Sequence, residues 1–215
     1  MRFFKFLFPK LTILRNFQIL KMSEVKLKGD CIEFGANKNL NQNFFFYSKL
    51  YKNSKITFSN IKCQNKSFKI IDLTKKIILH KHYDRIIIFN VLEHVSNLKV
   101  ALKNLHKLLK KNGELIGSTP FLYRVHGAPK DYLRFTADFL YQEFRLAGFK
   151  NVKINHLGYG PFLASFSIVH GILKFLPFIY QILLLFSVII DFILINISGN
   201  LKKIYPIGFF FILKK

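Results

Sequence analysis

The sequence has little of several residue types, and each shortage excludes a class of protein. Its 215 residues contain two cysteines and no tryptophan. Cys31 and Cys63 stand alone, without a CxxC motif or a histidine cluster at ligand spacing. Neither a disulfide scaffold nor a zinc site is therefore expected, and the cysteine usage suits a reducing cytosol. A chain of this length can bury a core without such cross-links. The sequence therefore predicts no metal site.

Acidic residues are also scarce. Eleven Asp and Glu stand against 34 Lys and Arg, which gives a formal net charge of +23 and predicts an anionic partner. Nucleic acid is one candidate, but the basic residues do not cluster on a recognisable motif that reads DNA or RNA, so it is disfavoured. An anionic membrane surface is the other candidate, and two apolar zones of the chain favour it.

The first apolar zone belongs to an N-terminal segment, residues 1–28. Residues 1–22 combine five Lys and Arg residues with many apolar ones and no acid. Because no small-residue cleavage site follows, a secretory signal is not expected. Two interpretations stay open: a basic amphipathic helix that lies in a lipid headgroup layer, or a first helix packed against the domain.

The second apolar zone lies within residues 158–203. Residues 176–198 carry Asp191 as their only charged residue and are long enough to cross a hydrocarbon core of about 30 Å as a helix. Residues 161–175 form a shorter apolar stretch, and Pro177 separates the two stretches. The pattern predicts an apolar helical hairpin that contacts a membrane, with a buried pair of core helices as the alternative.

Between these zones the periodicity is that of an α/β domain, residues 29–215. Short apolar runs alternate with amphipathic stretches, which predicts a mostly parallel sheet covered by helices. The predicted strands are 30–34, 55–58, 68–71, 85–89, 114–118, 151–155 and 208–213. The predicted helices are 97–110, closed by Asn112-Gly113, and 137–147, ended by Gly148.

Polar residues follow several of these strands. In such sheets, ligands bind at the carboxyl ends of the strands, where the strand order reverses. The first strand runs into Glu33-Phe34-Gly35, the third into Asp72, and the fourth into Asn90 and the run 91–95, Val-Leu-Glu-His-Val. A glycine in a strand-to-helix turn lets the backbone approach a ligand and aims N–H groups at its anionic part.

This succession resembles the class I S-adenosylmethionine-dependent methyltransferases, particularly the type 11 group. Their first loop reads E/D-x-G-x-G-x-G, and their fourth strand commonly runs into V-L-E-H-V, which stands intact at 91–95. The similarity covers about residues 29–152. It implies a Rossmann-like three-layer sandwich with a seven-stranded, mostly parallel sheet, whose last strand runs antiparallel between the fifth and the sixth.

The resemblance also implies S-adenosylmethionine as cofactor. The residues that match the family's cofactor contacts are Glu33, Gly35, Asp72 and Asn90. Three asparagines depart from the pattern: Asn37 and Asn39 replace the second and third glycines, and Asn60 (or Ser59) replaces the acidic residue that binds the ribose. Asparagine tolerates left-handed backbone, and an amide keeps the hydrogen bonds while losing about 1–2 kcal/mol of their charge-assisted strength. Asn37 and Asn60 therefore stay predicted cofactor contacts.

The run 126–136 follows the fifth strand, where an acceptor is expected to enter, and members of the same group carry a similar H-x-x-P-x-D-Y-x-R-x-T run. Methyl transfer to a hydroxyl or an amine requires removal of a proton, and histidine suits that task near neutral pH. His126 is therefore the candidate general base or substrate-orienting donor, with Asp131 fixing its tautomer. Tyr132 and Arg134 are candidate substrate contacts. A purely structural pair of Asp131 and Arg134 is the alternative.

These features together predict methyl transfer from S-adenosylmethionine to a membrane-proximal acceptor, a small molecule such as a sugar or a lipid-linked glycan. The strands on both sides of the hairpin must join one sheet, so a peripheral or monotopic protein on the cytoplasmic face of the cell membrane is expected. One alternative is a degenerate, non-catalytic methyltransferase fold that binds a membrane or a partner. Another, a nucleic-acid methyltransferase, has only the charge in its favour.

Overall fold

In the computed structural model, residues 11–36, 54–62, 66–77, 81–127 and 130–215 are described. The strands are β1 (Gly29–Phe34), β2 (Ser54–Asn60), β3 (Lys69–Ile70), β4 (Tyr83–Phe89), β5 (Leu109–Pro120), β6 (Asn151–Leu157) and β7 (Gly208–Lys214). They form one seven-stranded sheet in the order β3-β2-β1-β4-β5-β7-β6. β7 runs antiparallel to both β5 and β6, and the other pairs are parallel. The predicted architecture is confirmed.

Helices cover both faces of this sheet. Within the described ranges they are α1 (Ile13–Met22), α2 (Leu98–Leu108), α3 (Ala137–Leu146), α4 (Pro161–Leu173), α5 (Pro177–Ile197) and α6 (Leu201–Ile204). α2 and α3 pack on the face that carries Ile86 and Ile88 of β4, whereas α1, α4 and α5 belong to the core on the face of Ile87. Because successive strand residues point to opposite faces, a strand buried on both faces reads as a continuous apolar run.

The ends of two helices follow their predicted signals in different ways. α3 ends at Leu146, and Gly148 takes a φ of +103°, as a helix terminus requires. α2 ends at Leu108, two residues before the predicted end, and the chain passes directly into β5. Asn112 does adopt a positive φ of 62°, but it does so at an irregularity in the pairing of β5 with β4 and not at the helix end.

The described part of the N-terminal segment is a packed helix. Ile13, Leu14 and Met22 of α1 are buried in the core. Gln18 is fully buried, and its Nε2 donates to Asn90 Oδ1 at 2.7 Å and to Ser118 Oγ at 2.9 Å. α1 is thereby fixed to the ends of β4 and β5. Residues 1–10 lie outside the described residues, and the domain boundary at residue 28 stays a prediction.

The predicted apolar hairpin is formed by α4 and α5. Tyr180 of α5 packs on α4, with its ring centroid 5.0 Å from that of Phe166 and its hydroxyl 3.1 Å from Nδ1 of His170. α5 has 21 residues, and by length and composition it could cross a membrane. Only 22% of the most apolar stretch of α5 is buried, so most of this helix presents apolar side chains to the surroundings.

The one charged residue of α5 explains how the two helices are joined. Asp191 is fully buried, and its two carboxylate oxygens accept the backbone N–H groups of Phe162 and Leu163 at 3.0 and 2.8 Å. These donors belong to the first turn of α4, where N–H groups have no partner within the helix and negative charge is favoured. At Gly160 a Cβ atom would lie 2.5 Å from Asp191 Cγ, so a glycine is needed for this approach. Asp191 therefore caps α4 from α5.

Replacing Asp191 by alanine should lower the free energy of unfolding by about 1–3 kcal/mol, because two buried N–H groups lose their acceptor. Denaturation of the detergent-solubilised chain, followed by circular dichroism, measures this change. Asn196→Ala is the matched control, since its exposed amide bonds only to the Phe192 carbonyl of its own helix. The control should change stability by less than about 0.5 kcal/mol. Equal stabilities of the two variants would contradict the capping role.

Candidate functional site

The residues predicted to bind the cofactor, where the structure describes them, lie along one edge of the sheet, at the carboxyl ends of the parallel strands. The strand order reverses between β1 and β4, and α/β sheets bind ligands at such a switch point. Gly35 follows β1 and Asn90 follows β4, so the two residues flank the switch point. Asn60 ends β2 and Asp72 follows β3. Asn37 and Asn39 lie outside the described residues.

The turn after β1 keeps the glycine geometry of a ligand-binding turn. Gly35 has a φ of +76°, and a Cβ atom at this position would lie 2.4 Å from Cγ2 of Val91. The N–H of Ala36 donates to the carbonyl oxygen of Ser59 at 3.2 Å, and the hydroxyl of Ser59 donates to the carbonyl oxygen of Glu33 at 3.0 Å. The turn is therefore held between β2 and the segment that follows β4, and the side chain of Glu33 is buried there.

Asn60 and Asp72 already have partners within the chain. Nδ2 of Asn60 donates to the carbonyl oxygen of Ala36 at 2.7 Å, so its amide braces the turn after β1. Oδ1 of Asp72 accepts from the hydroxyl and the backbone N–H of Thr74 at 2.6 and 2.9 Å. The bond from the Thr74 hydroxyl holds the pKa of Asp72 below its ordinary value, so this side chain presents a negative charge.

Asn90 occupies the other side of the switch point in a left-handed conformation, with a φ of 54°. Its N–H donates to the carbonyl oxygen of Ser118 at 2.8 Å, and its Oδ1 accepts from Gln18. Oε1 of Gln18 is buried without a hydrogen-bond partner among the described residues, so a donor of a bound ligand could pair with it. The sequence reasoning missed Gln18, because nothing in the periodicity of α1 shows which strand ends it contacts.

A second group of side chains surrounds the short 3₁₀ turn Leu92–His94, which continues the same segment. The carbonyl oxygen of Glu93 accepts the N–H groups of Tyr132 and Leu133 at 2.8 and 3.2 Å. These bonds fix the run after β5 to the loop after β4. Through them, the residues predicted to bind the methyl acceptor lie beside the loop that contacts the turn after β1. The side chain of Tyr132 stays exposed.

Asp131 is the centre of the predicted catalytic group. Its side chain is 4% exposed, and it accepts the backbone N–H of His126 at 2.9 Å, with Oδ2 at 3.3 Å from Nδ1 of the same histidine. The guanidinium of Arg134 donates to both carboxylate oxygens. This ion pair holds the pKa of Asp131 far below its usual range, and the residue stays ionised. The contact of Asp131 with His126 and its ion pair with Arg134 were predicted as alternatives, and the structure has both.

Glu93 and His94 complete this group. The side chain of Glu93 is fully buried, and this burial raises its pKa to about 7. His94 Nδ1 lies 2.7 Å from the carbonyl oxygen of Lys130, and its ring meets that of His126 edge to face at 4.8 Å. Neither residue caps the following helix, where Oδ1 of Asn97 accepts the N–H of Val100. In the sequence, an adjacent Glu-His pair between a strand and a helix is the signal that could have indicated this group.

Comparison with known proteins agrees with this geometry. The family model described as a methyltransferase domain matches residues 19–154. No curated protein matches the sequence. Among solved structures, a SAM-dependent methyltransferase from Archaeoglobus fulgidus has a TM-score of 0.58 at 14% identity and covers 94% of each chain.

Two further structures share the fold. Phosphoethanolamine N-methyltransferase 2 from Haemonchus contortus, in complex with S-adenosyl-L-methionine, has a TM-score of 0.56 at 10% identity, over 92% of this chain and 52% of that one. The [4+2]-cyclase SpnF has a TM-score of 0.55 at 13% identity, over 92% of this chain and 78% of that one. At such identities the likeness shows the fold alone.

Gly35→Ala should weaken the binding of S-adenosylmethionine by about tenfold or more, because the new methyl group is strained at positive φ and collides with Val91. Isothermal titration calorimetry with S-adenosylmethionine measures the Kd, and circular dichroism checks the fold. Gly171→Ala is the matched control, since a Cβ there meets nothing within 4 Å. The same loss of affinity in both variants, or in neither, would refute the assignment of the turn.

Proposed function

Because the chain belongs to the methyltransferase domain family, we propose that it transfers a methyl group from S-adenosylmethionine to an acceptor held at a membrane surface. The predictions of the family, of the fold and of the cofactor are confirmed. One observation carries the finer proposal: the segment 90–95 touches the cofactor turn through Val91 and holds the histidine group through Glu93. Bound S-adenosylmethionine and the molecule that receives the methyl group would therefore lie on either side of a few residues of one loop.

The residues at the switch point fit the cofactor, which supplies the methyl group when bound. Gly35 lets the turn after β1 keep a positive φ and pack closely against Val91, where any side chain would collide. Glu33 and Asp72 supply acidic side chains at the ends of two strands, and Asn90 forms the wall on the far side. We propose that these four residues hold S-adenosylmethionine. Asn60 supports the turn, and its predicted contact with the ribose stays a prediction, as does the contact of Asn37.

His126 is the residue proposed to act on the methyl acceptor, as a general base. Its Nδ1 faces two acceptors, the carboxylate of Asp131 and the carbonyl oxygen of Arg124, so Nδ1 carries the proton in the neutral ring. Nε2 is then free to take a proton from an acceptor hydroxyl or amine. Asp131 fixes this tautomer, and Arg134 keeps Asp131 ionised. The exposed Tyr132 is proposed to contact the acceptor.

The position of the apolar hairpin supports an acceptor at a membrane. β6 ends at Leu157 and β7 begins at Gly208, which pairs with both Leu157 and Pro120. The hairpin therefore leaves the sheet and returns at the carboxyl edge, where the candidate site lies. The exposed apolar residues of α5 are Phe178, Ile179, Ile182, Leu183, Leu185, Phe186, Ile189, Phe192, Ile193 and Ile197. Contiguous apolar surface of this kind marks an interaction site.

The geometry of the hairpin favours a monotopic arrangement. β6 and β7 are neighbours in one sheet, so the chain must enter and leave the lipid on one side. α4, with 13 residues, spans about 20 Å, which is shorter than a hydrocarbon core of about 30 Å. The exposed Lys174, Lys202 and Lys203 flank the hairpin and would meet anionic headgroups. We therefore propose attachment to the cytoplasmic face and an acceptor such as a sugar or a lipid-linked glycan.

A non-catalytic module with the same fold is the second candidate. The observation that favours it is the amide of Asn60, which is engaged with the turn after β1 at the place where the family has a free acidic residue. Such a module would keep the hairpin and its membrane contact without turnover. Failure of the unmodified chain to bind S-adenosylmethionine in calorimetry would favour this second candidate.

His126→Ala should reduce methyl transfer by about 10²–10⁴-fold, because no base then removes the proton from the molecule that receives the methyl group. Transfer of a radiolabelled methyl group from S-adenosylmethionine into a membrane extract measures the activity. His82→Ala is the matched control, since His82 is exposed at the start of β4, far along the strand from the carboxyl edge. Full activity of the His126 variant would remove the proposed base.

Replacing Phe178, Ile182 and Phe186 together by glutamate should release the chain from anionic phospholipid vesicles. These side chains are 74%, 50% and 63% exposed and lie one turn apart on α5. Each is worth about 1.5–3 kcal/mol when fully buried in an apolar phase, so sedimentation with vesicles should fall at least tenfold. Leu146→Glu, at an equally exposed leucine of α3, is the control. Unchanged sedimentation of the triple variant would refute the membrane contact.

A further inference from the structure

We propose that Glu93, His94 and His126 bind a divalent transition-metal ion such as Zn²⁺. One ligand atom from each of the three side chains lies within 4.8 Å of those of the other two. No metal was expected from the sequence, because His126 is far along the chain from the adjacent pair Glu93-His94 and the three residues follow no ligand spacing. The contact between the loop after β4 and the run after β5 is what brings them together.

The tautomer of His94 gives the first argument. Its Nδ1 lies 2.7 Å from the carbonyl oxygen of Lys130, which can only accept, so Nδ1 carries the proton. Nε2 then presents a lone pair, and the nearest acidic atom, Oε1 of Glu93, lies 3.9 Å away. This separation is too long for a hydrogen bond. Two electron-pair donors that face each other in this way are stabilised by a cation between them.

The buried oxygen of Glu93 gives the second argument. The side chain of Glu93 is 0% exposed, and Oε2 lies 3.4 Å from the hydroxyl of Thr119. Oε1 has no hydrogen-bond partner among the described residues. A buried carboxylate oxygen without a partner is costly, and buried carboxylates are retained where they are paired or coordinate a metal.

His126 repeats the arrangement of His94. Its Nδ1 lies 3.3 Å from the Asp131 carboxylate and 3.2 Å from the carbonyl oxygen of Arg124. Both partners accept, so Nε2 is again the free nitrogen. Histidines that bind metals usually donate their other N–H to a carboxylate or a backbone carbonyl, which orients the ring. His94 and His126 each have such a partner, and Arg134 holds Asp131 in place.

The donor set identifies the class of ion. Two imidazole nitrogens and one carboxylate oxygen suit Zn²⁺, Fe²⁺ or Co²⁺, whereas Mg²⁺ and Ca²⁺ prefer oxygen ligands. Three protein ligands leave at least one coordination position open, as in metal sites that act on substrates. While Nε2 of His126 binds the ion it cannot accept a proton, so metal binding and the general-base role of His126 are alternatives that the cobalt titration below separates.

The test titrates Co²⁺ into the full-length chain after removal of metals with a chelator. One equivalent should bind with a visible absorption band, which Zn²⁺ should then abolish by displacement. Glu93→Gln and His126→Asn should each weaken binding by at least about 10–100-fold. His82→Asn, at an exposed histidine outside the group, should bind as the unmodified chain does.

Asp131→Asn supplies a second readout, because it removes no ligand. If Asp131 positions His126 for a metal, this variant should weaken binding by about 10–100-fold and shift the cobalt band. His126 is 30% exposed, so its replacement leaves the core intact even if Glu93→Gln does not fold. The absence of a cobalt band in the unmodified chain, or equal affinities of His126→Asn and His82→Asn, would overturn the proposal.

Discussion

The placement of β7 between β5 and β6 is the constraint on which the rest of the structure depends. Gly208, at the start of β7, pairs with the last residue of β5 and the last residue of β6. The chain between β6 and β7 must therefore begin and end at the carboxyl edge of the sheet. That edge is also where the strand order reverses and where a ligand is bound in this class of fold. The pairing of β7 with β5 and β6 thus places the apolar hairpin and the candidate site at the same edge of the sheet.

The candidate site has two parts, and one short segment belongs to both. Val91 closes against the turn of Gly35, and Glu93 accepts the backbone of the run that carries Asp131. A shift of this segment would move the turn after β1 and the group formed by Glu93, His94, His126 and Asp131 together. The polar residues on the two sides differ in their supports. Asn90 is held by α1 through Gln18, whereas His126 is held by Asp131 and Arg134 from its own loop.

Much of the fold could be predicted because its signals are local. Each predicted strand overlaps an observed one, since buried strands read as short apolar runs, and Gly148 ended α3 where left-handed backbone was needed. The contact of His126 with Asp131 was also predictable, because the two residues are five apart in one run. Gln18 and Glu93 were missed. Their importance comes from burial against strand ends and loops remote in the chain, which no spacing within the sequence records.

If the hairpin contacts a lipid bilayer as proposed, the burial of Asp191 has a consequence for how α5 enters it. An aspartate without partners opposes insertion by about 2.5–3.5 kcal/mol at the centre of an apolar segment, and by less at Asp191, which lies in the carboxyl-terminal half of α5. In the folded protein the carboxylate accepts two N–H groups from the first turn of α4. The penalty therefore applies only while α4 and α5 are apart. If the hairpin enters lipid, association of α4 with α5 would lower the cost of placing this carboxylate there.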